Sequence, residues 1–166
     1  SGQVQFHRVA VGEHLILGGD NLDLALARHV EERLTKGGKL PPRAWDVLVA
    51  NCRRVKETLL GEHSPETYTI NLPGLGSKLI GGSQQVEITR EETQRVLVEG
   101  FLPQIDLEDK PQRRSSGFQE FGLPYATDAA MTRYLAAFLT AHRRAGLDED
   151  ANTPHDPARP DLVLFN

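Results

Sequence analysis

Leu17 to Asp23 reads Leu-Gly-Gly-Asp-Asn-Leu-Asp, and the reading of this stretch decides how the chain is organised. The apolar run His14-Leu15-Ile16-Leu17 leads into it. The glycine pair lets the backbone turn sharply. Asp20 or Asn21 then supplies a side-chain cap for a helix. Leu22, Leu26, Val30 and Leu34, with Ala25, recur at helical spacing and form one apolar stripe. The spacing predicts a helix to about Thr35, stopped by Gly37-Gly38.

Outward from that helix, Pro41-Pro42 opens a second one, since proline suits a first helical turn. Trp45, Leu48, Cys52, Val55 and Leu59 share a face, and Gly61 stops this helix near Leu60. Tyr68 and Ile70 alternate with Thr67, Thr69 and Asn71, which reads as a strand. Pro73-Gly74 turns, Lys78 to Ile80 returns as a hairpin, and Gln85 to Thr89 reads as a third short strand. Thr89-Arg90-Glu91-Glu92 fits a capping box that starts a helix with Val96, Leu97 and Phe101 inward, ending before Pro103.

The flanks are less regular. Gln3 to Val11 alternates like a strand, with an irregularity at His7-Arg8. From Pro103 to Thr127 no clean period runs, although Phe118, Phe121, Leu123 and Tyr125 suggest an extended packed segment. Asp128 caps a last helix with Met131, Leu135, Phe138, Leu139 and His142 on one face, ending at Gly146. Asp148 to Pro160 reads as a solvated loop, and Asp161 to Asn166 as a buried-type strand that the chain ends on with nothing to cover it, a hint of truncation.

Composition bounds the function. The chain has 166 residues, 39% hydrophobic and 25% charged, an ordinary profile for a soluble globular domain. A net charge of −4 gives no global attraction for nucleic acid or an anionic membrane. Cys52 is the single cysteine, so no internal disulfide forms and a reducing, cytoplasmic setting is expected; the thiol itself reads as a small buried apolar group. No apolar run reaches the length of a membrane span, and the opening residues lack a signal-peptide pattern.

Other chemistry is weak. His7, His14, His29, His63, His142 and His155 are scattered without metal-ligand spacing. Gly74-Leu75-Gly76-Ser77-Lys78 lacks the four-residue gap of a phosphate loop and is flanked by extended segments, so a hairpin turn is the better reading. Ser115-Ser116-Gly117 is no nucleophile elbow. Glu91 and Glu92 suit a helix N-terminus better than an acid–base pair.

Three ordered segments then carry a resemblance. Leu17 to Asp23 is similar to the Leu-Gly-Gly-Glu-Asp-Phe-Asp segment of the DnaK-type (seventy-kilodalton heat-shock) chaperones. Asn51-Cys52-Arg53-Arg54-Val55-Lys56-Glu57-Thr58-Leu59 resembles that family's Ala-Cys-Glu-Arg-Ala-Lys-Arg-Thr-Leu helix. Ile88-Thr89-Arg90-Glu91-Glu92 resembles its Ile-Thr-Arg helix entry. The match covers 3–101; 103–127 and 147–160 look like insertions or loops. Leu162 to Asn166 resembles the strand before the family's Gly-Gly adenosine-binding turn.

The resemblance implies an α+β fold: the upper subdomain of the second lobe of an actin-like ATPase, a small mostly antiparallel sheet flanked by helices, with part of the lower subdomain. The whole of 1–166 would be one fragment of that lobe. In such a domain ATP or ADP, magnesium and potassium occupy a cleft between two lobes. The phosphate loops with the catalytic groups would lie upstream, so no catalytic or metal-binding residue is expected here and the fragment is not expected to be an enzyme. The resemblance assigns the adenosine side of the cleft to Arg53, Lys56, Glu57 and Leu60. The family has Glu, Lys, Arg and Ser there, so Lys is retained, Glu and Arg are exchanged, and the Ser hydroxyl is lost. Arg53 and Glu57 equally suit an ordinary i,i+4 surface pair. Gly18 and Gly19 would be the hinge of nucleotide gating. A nucleotide-exchange factor, gripping the 73–83 region, and a J-type co-chaperone would be partners of the parent; no nucleic acid or membrane partner is expected. Two alternatives stay open: a lobe of another actin-like protein such as a sugar kinase, and a stand-alone interaction module.

Overall fold

The stripe beginning at Leu22 does form a helix, and it organises the better-packed part of the chain. The computed structural model describes residues 7–72, 84–112, 128–145, 147 and 155–164. The chain divides into two compact units, one of Leu17–Pro103 and one of Ser1–Ile16 with Gln104–Asn166. The described structure is mixed α+β, with its sheet limited to two antiparallel strands.

In the Leu17–Pro103 unit, α1 spans Gly19–Thr35 and α2 spans Pro42–Leu59. Helix α1 starts earlier than a cap at Asp20 or Asn21 predicts. Gly18 is the extended residue before the first turn, and Asn21 sits inside the helix with Oδ1 accepting from Gly18 N at 2.8 Å. The side chain therefore caps backwards, because glycine has no oxygen of its own to offer. At the other end Lys36 (φ 53°) and Gly37 (φ +92°) take left-handed conformations that stop the helix. Pro41 and Pro42 open α2, whose free first N–H positions tolerate proline.

Strand β1 (Thr67–Leu72) pairs with β2 (Gln84–Thr89), with Tyr68 opposite Ile88 and Ile70 opposite Val86. The return strand expected at Lys78 to Ile80 lies outside the described residues, as does the turn at 73–83. Thr89 caps the next helix: its Oγ1 accepts from Glu92 N at 3.0 Å. This helix is α3 (Arg90–Thr93), which widens into a π-helical stretch at Gln94–Glu99 that periodicity does not foretell. Leu97 and Phe101 are buried on its inner side, as expected, and Val96 is half-buried.

One core joins these elements. Leu26, Ala27 and Val30 of α1 and Leu48, Cys52, Val55 and Leu59 of α2 meet Ile70 and Leu72 of β1, Val86 and Ile88 of β2 and Leu97. Burial of a Leu or Ile side chain is worth about 1.5–3 kcal/mol, so this cluster dominates the stability of the unit. Trp45 sits at its margin with the Arg28 guanidinium 3.9 Å above the ring centroid. Glu31, buried on α1, accepts from Leu40 N at 2.8 Å and pairs with Arg28, fixing the connection between the helices.

The other unit departs from expectation. Residues 7–11 form no strand, and Val9 and Val11 are exposed; residues 3–6 lie outside the described residues. Residues 161–164 form no buried strand either: Leu162 and Leu164 are 85% and 91% exposed. A strand needs a neighbour to take its backbone hydrogen bonds, and among the described residues these two segments have none. Helix α4 spans Met131–Ala141, with Ala130 rather than Asp128 at its cap position. Asp128 instead gathers the approach: its carboxylate accepts from Gln112 N (2.8 Å), Ala130 N (2.9 Å) and Arg133 Nη1 (2.9 Å). On α4 only Ala136 is fully buried and Leu135 is exposed, so the expected apolar face is half-covered. Gly146 and the 118–125 segment lie outside the described residues.

Candidate functional site

Two stretches far apart in sequence meet where α1 begins. Lys56, on α2, donates from Nζ to the carbonyl oxygen of Gly19 at 3.0 Å. The same ammonium lies 2.6 Å from Asp23 Oδ1. Among the described residues Asp23 Oδ1 takes no well-directed hydrogen bond, so the contact is an ion pair. The Lys56 side chain keeps 17% of its exposure and Asp23 6%. The site is thus a cation at the rim, held from below by a buried carboxylate.

Local sequence explains the placement. Asp23, Leu26, Ala27 and Val30 fall three, four and seven positions apart, so Asp23 continues the core face of α1 toward its first turn. On α2, Lys56 follows Cys52 by four and continues the core face in the same way. One acid and one base on two facing apolar stripes find each other, because a carboxylate is buried only with a partner. A Cβ placed on Gly19 would lie 3.4 Å from Lys56 Nζ, so the ammonium packs closely on that turn.

The remaining expected residues lie nearby but differ in character. Gly18 precedes the turn and has open space around it. Arg53 and Glu57 form an exposed i,i+4 pair on α2, with Nε 3.3 Å from Oε1 and side chains 65% and 62% exposed. Such a pair is worth only a few tenths of a kcal/mol. Leu60 follows α2 and is 36% exposed. The structure therefore brings Gly18, Gly19 and Lys56 together and leaves Arg53 and Glu57 in each other's company on the helix surface.

The sequence offers Asn21 only as a helix cap and gives Asp23 no role at the site, although a signal for Asp23 is present: a lone acid in register with Leu26 and Val30. Asn21 is buried, and its Nδ2 has no hydrogen-bond partner among the described residues. Cys52 is fully buried below the site. Burial, and then the negative charge of Asp23, push its thiol up to about 12. It is an inert core group, as the sequence suggests, and no nucleophile.

A second polar cluster lies on the other half of α1. Glu92 Oε1 accepts from Arg33 Nη1 at 2.6 Å and lies 2.6 Å from His29 Nε2. Burial pushes the Glu92 carboxyl up, but hydrogen bonds and charge from His29 and Arg33 outweigh it and hold the carboxyl below its usual range. Arg33 also donates to Glu87 O at 3.2 Å. The third motif segment is thereby fastened to the helix that the first one starts. The cluster thus acts as a clamp between the two elements.

Within the other unit, Val11, Leu15, Pro111, Met131, Leu135 and Phe138 line an apolar groove of about 680 Å³. Among the described residues no group of three or more His, Cys, Asp or Glu side chains is arranged to hold a metal, and no helix is long and apolar enough to cross a membrane. The chain matches no protein-family model, and a comparison with curated proteins finds no significant relative.

Proposed function

We propose that this chain is part of the nucleotide-binding domain of a DnaK-type chaperone-like ATPase, where it contributes the adenosine side of the cleft and the turn on which gating pivots. The observation that carries the reading is the Lys56–Gly19 contact. It joins the glycine turn to the lysine-bearing helix stripe across thirty-seven residues of sequence. These are two of the three segments whose order resembles that family. The third, Thr89 to Glu92, packs back on α1 through His29 and Arg33.

On this reading Lys56 offers a donor at the rim, and Arg53 a flat guanidinium suited to stacking on an adenine ring. Leu60 supplies apolar contact in place of a hydroxyl. The phosphates, which need charge neutralisation for transfer, would be held by other parts of the longer protein together with magnesium. That protein would hydrolyse ATP and meet an exchange factor and a J-type co-chaperone in the cytoplasm.

The test is nucleotide binding followed by calorimetry. The full-length protein should bind ADP, and Lys56→Ala should weaken that binding by about tenfold, the worth of one charged hydrogen bond. The isolated 1–166 chain should give little heat with ATP. Strong binding and turnover by the isolated chain, or no ADP binding by the full-length protein, would refute the assignment.

A further inference from the structure

We propose that Asp23 is a positioning residue for Lys56, fixing the ammonium at the Gly18-Gly19 turn so that it faces a nucleoside; this rests on the nucleotide reading above. A lysine head sits on a flexible four-carbon stem and has no preferred place of its own. Here it has one. Asp23 is 4% exposed, its carboxylate lies 2.6 Å from Nζ, and the Gly19 carbonyl takes a hydrogen bond from the same nitrogen.

The division of labour follows from donor count. An ammonium has three donors. Gly19 takes one. Asp23, 2.6 Å away, holds the group by its charge, and even with a second donor turned to it one is left over. The head stays able to donate to a neutral acceptor such as a ribose hydroxyl or a ring nitrogen. The carboxylate also partly neutralises the cation, which suits the uncharged nucleoside end of a nucleotide better than its phosphates. Asn21 supports the arrangement by holding Gly18 N at 2.8 Å, which fixes the turn whose next carbonyl Lys56 grips.

Two measurements separate this role from the reading it rests on. The first uses the 1–166 chain alone: acetic anhydride labels amines, and peptide mass spectrometry compares Lys56 with exposed Lys36. In the native wild type Lys56 should label at least about tenfold more slowly than Lys36, with the difference lost in urea. Asp23→Asn should speed labelling of Lys56 alone, and Asp23→Glu should restore part of the protection. The second uses the full-length protein: Asp23→Asn should weaken ADP binding by about tenfold, with Asp23→Glu intermediate. Equal native labelling of Lys56 and Lys36 overturns the proposal even if Asp23→Asn fails to fold. Faster labelling with unchanged ADP affinity leaves the ion pair standing and overturns its positioning role. A wild type that binds no ADP sinks the nucleotide reading and the positioning role with it, while the labelling still reports on the pair.

Discussion

The carbonyl oxygen of Gly19 and the ammonium of Lys56 are 3.0 Å apart, and this bond ties the first turn of α1 to the last third of α2. Because Asp23 closes the same contact from the buried side, the three residues behave as one unit in the energetics of the fold.

Removing Lys56 should therefore cost more than a surface lysine. Lys56→Ala leaves the Asp23 carboxylate buried without its cation, and breaking such a pair typically costs about 3–5 kcal/mol. The lysine keeps some exposure, so the expected loss lies at the lower end of that range. Urea unfolding of the 1–166 chain measures it. The double variant Asp23→Asn with Lys56→Ala should lose less than the sum of its two single variants, because no lone charge remains. Full additivity of the two single losses would contradict the coupling.

Acid should loosen the Glu92 clamp. The Glu92 carboxyl is held below its usual range in the folded chain, so the unfolded chain binds the proton more readily. Its contribution is present above the unfolded value of about 4.3 and is lost as pH falls through the lower folded value. Glu92→Gln should cost about 1–2 kcal/mol at pH 7, and less as pH falls below the ordinary carboxyl range and the folded carboxylate takes up its proton. Urea titrations at neutral and at acid pH decide it; an equal cost at both would mean the charge is irrelevant.

Cys52 should resist thiol reagents in the folded state at neutral pH. With the thiol pushed up to about 12 and no exposed surface, reaction should follow unfolding, so its rate with a disulfide reagent should rise with urea along the unfolding curve. The pH effect has the opposite sign to that of Glu92. The unfolded thiol ionises above its ordinary value of 9.0 while the folded one stays neutral, so stability falls as pH rises from there toward about 12. Fast native labelling at pH 7 would place the residue elsewhere.

Two glycines should respond in opposite directions to alanine. At Gly61 a Cβ would lie 2.8 Å from the Glu57 carbonyl oxygen, which is backbone and cannot turn aside. Gly61→Ala should lose about 1–2 kcal/mol through the shift it forces. Gly100, helical at φ −73° with open space around it, should gain about 0.4–1 kcal/mol on becoming alanine. Thermal melts of the two variants against wild type are enough to compare them.

How far the sequence could be read varied with how local each signal was. The stripes of α1 and α2, the proline opening, the box at Thr89 and Glu92 and the alternation of β1 and β2 are all written in spacings under five residues, and each element appears close to its expected place. The start of α1 was misplaced because the capping oxygen comes from Asn21, inside the helix, rather than from the residue before it. The π-helical widening at Gln94–Glu99 also carries no period of its own. The described parts of the strands expected at 3–11 and 161–166, residues 7–11 and 161–164, show the limit of such patterns: an apolar run states what a segment would bury, and whether a partner strand exists is a matter of the rest of the fold.

The same division holds for the site. Gly18, Gly19, Arg53, Lys56 and Glu57 are candidates through the resemblance alone, while helix spacing by itself gives Arg53 and Glu57 as a surface pair. By itself the sequence determined the α1 and α2 stripes, a mildly acidic composition and the burial of Cys52. Helix spacing alone offers Arg53 to Glu57 as an i,i+4 pair, and only tertiary structure decided that Lys56 belongs to Gly19 and Asp23. The physical reason is that a helix face is set by residues three and four apart, whereas a charge buried between two helices is settled by whichever opposite charge the packing brings within reach.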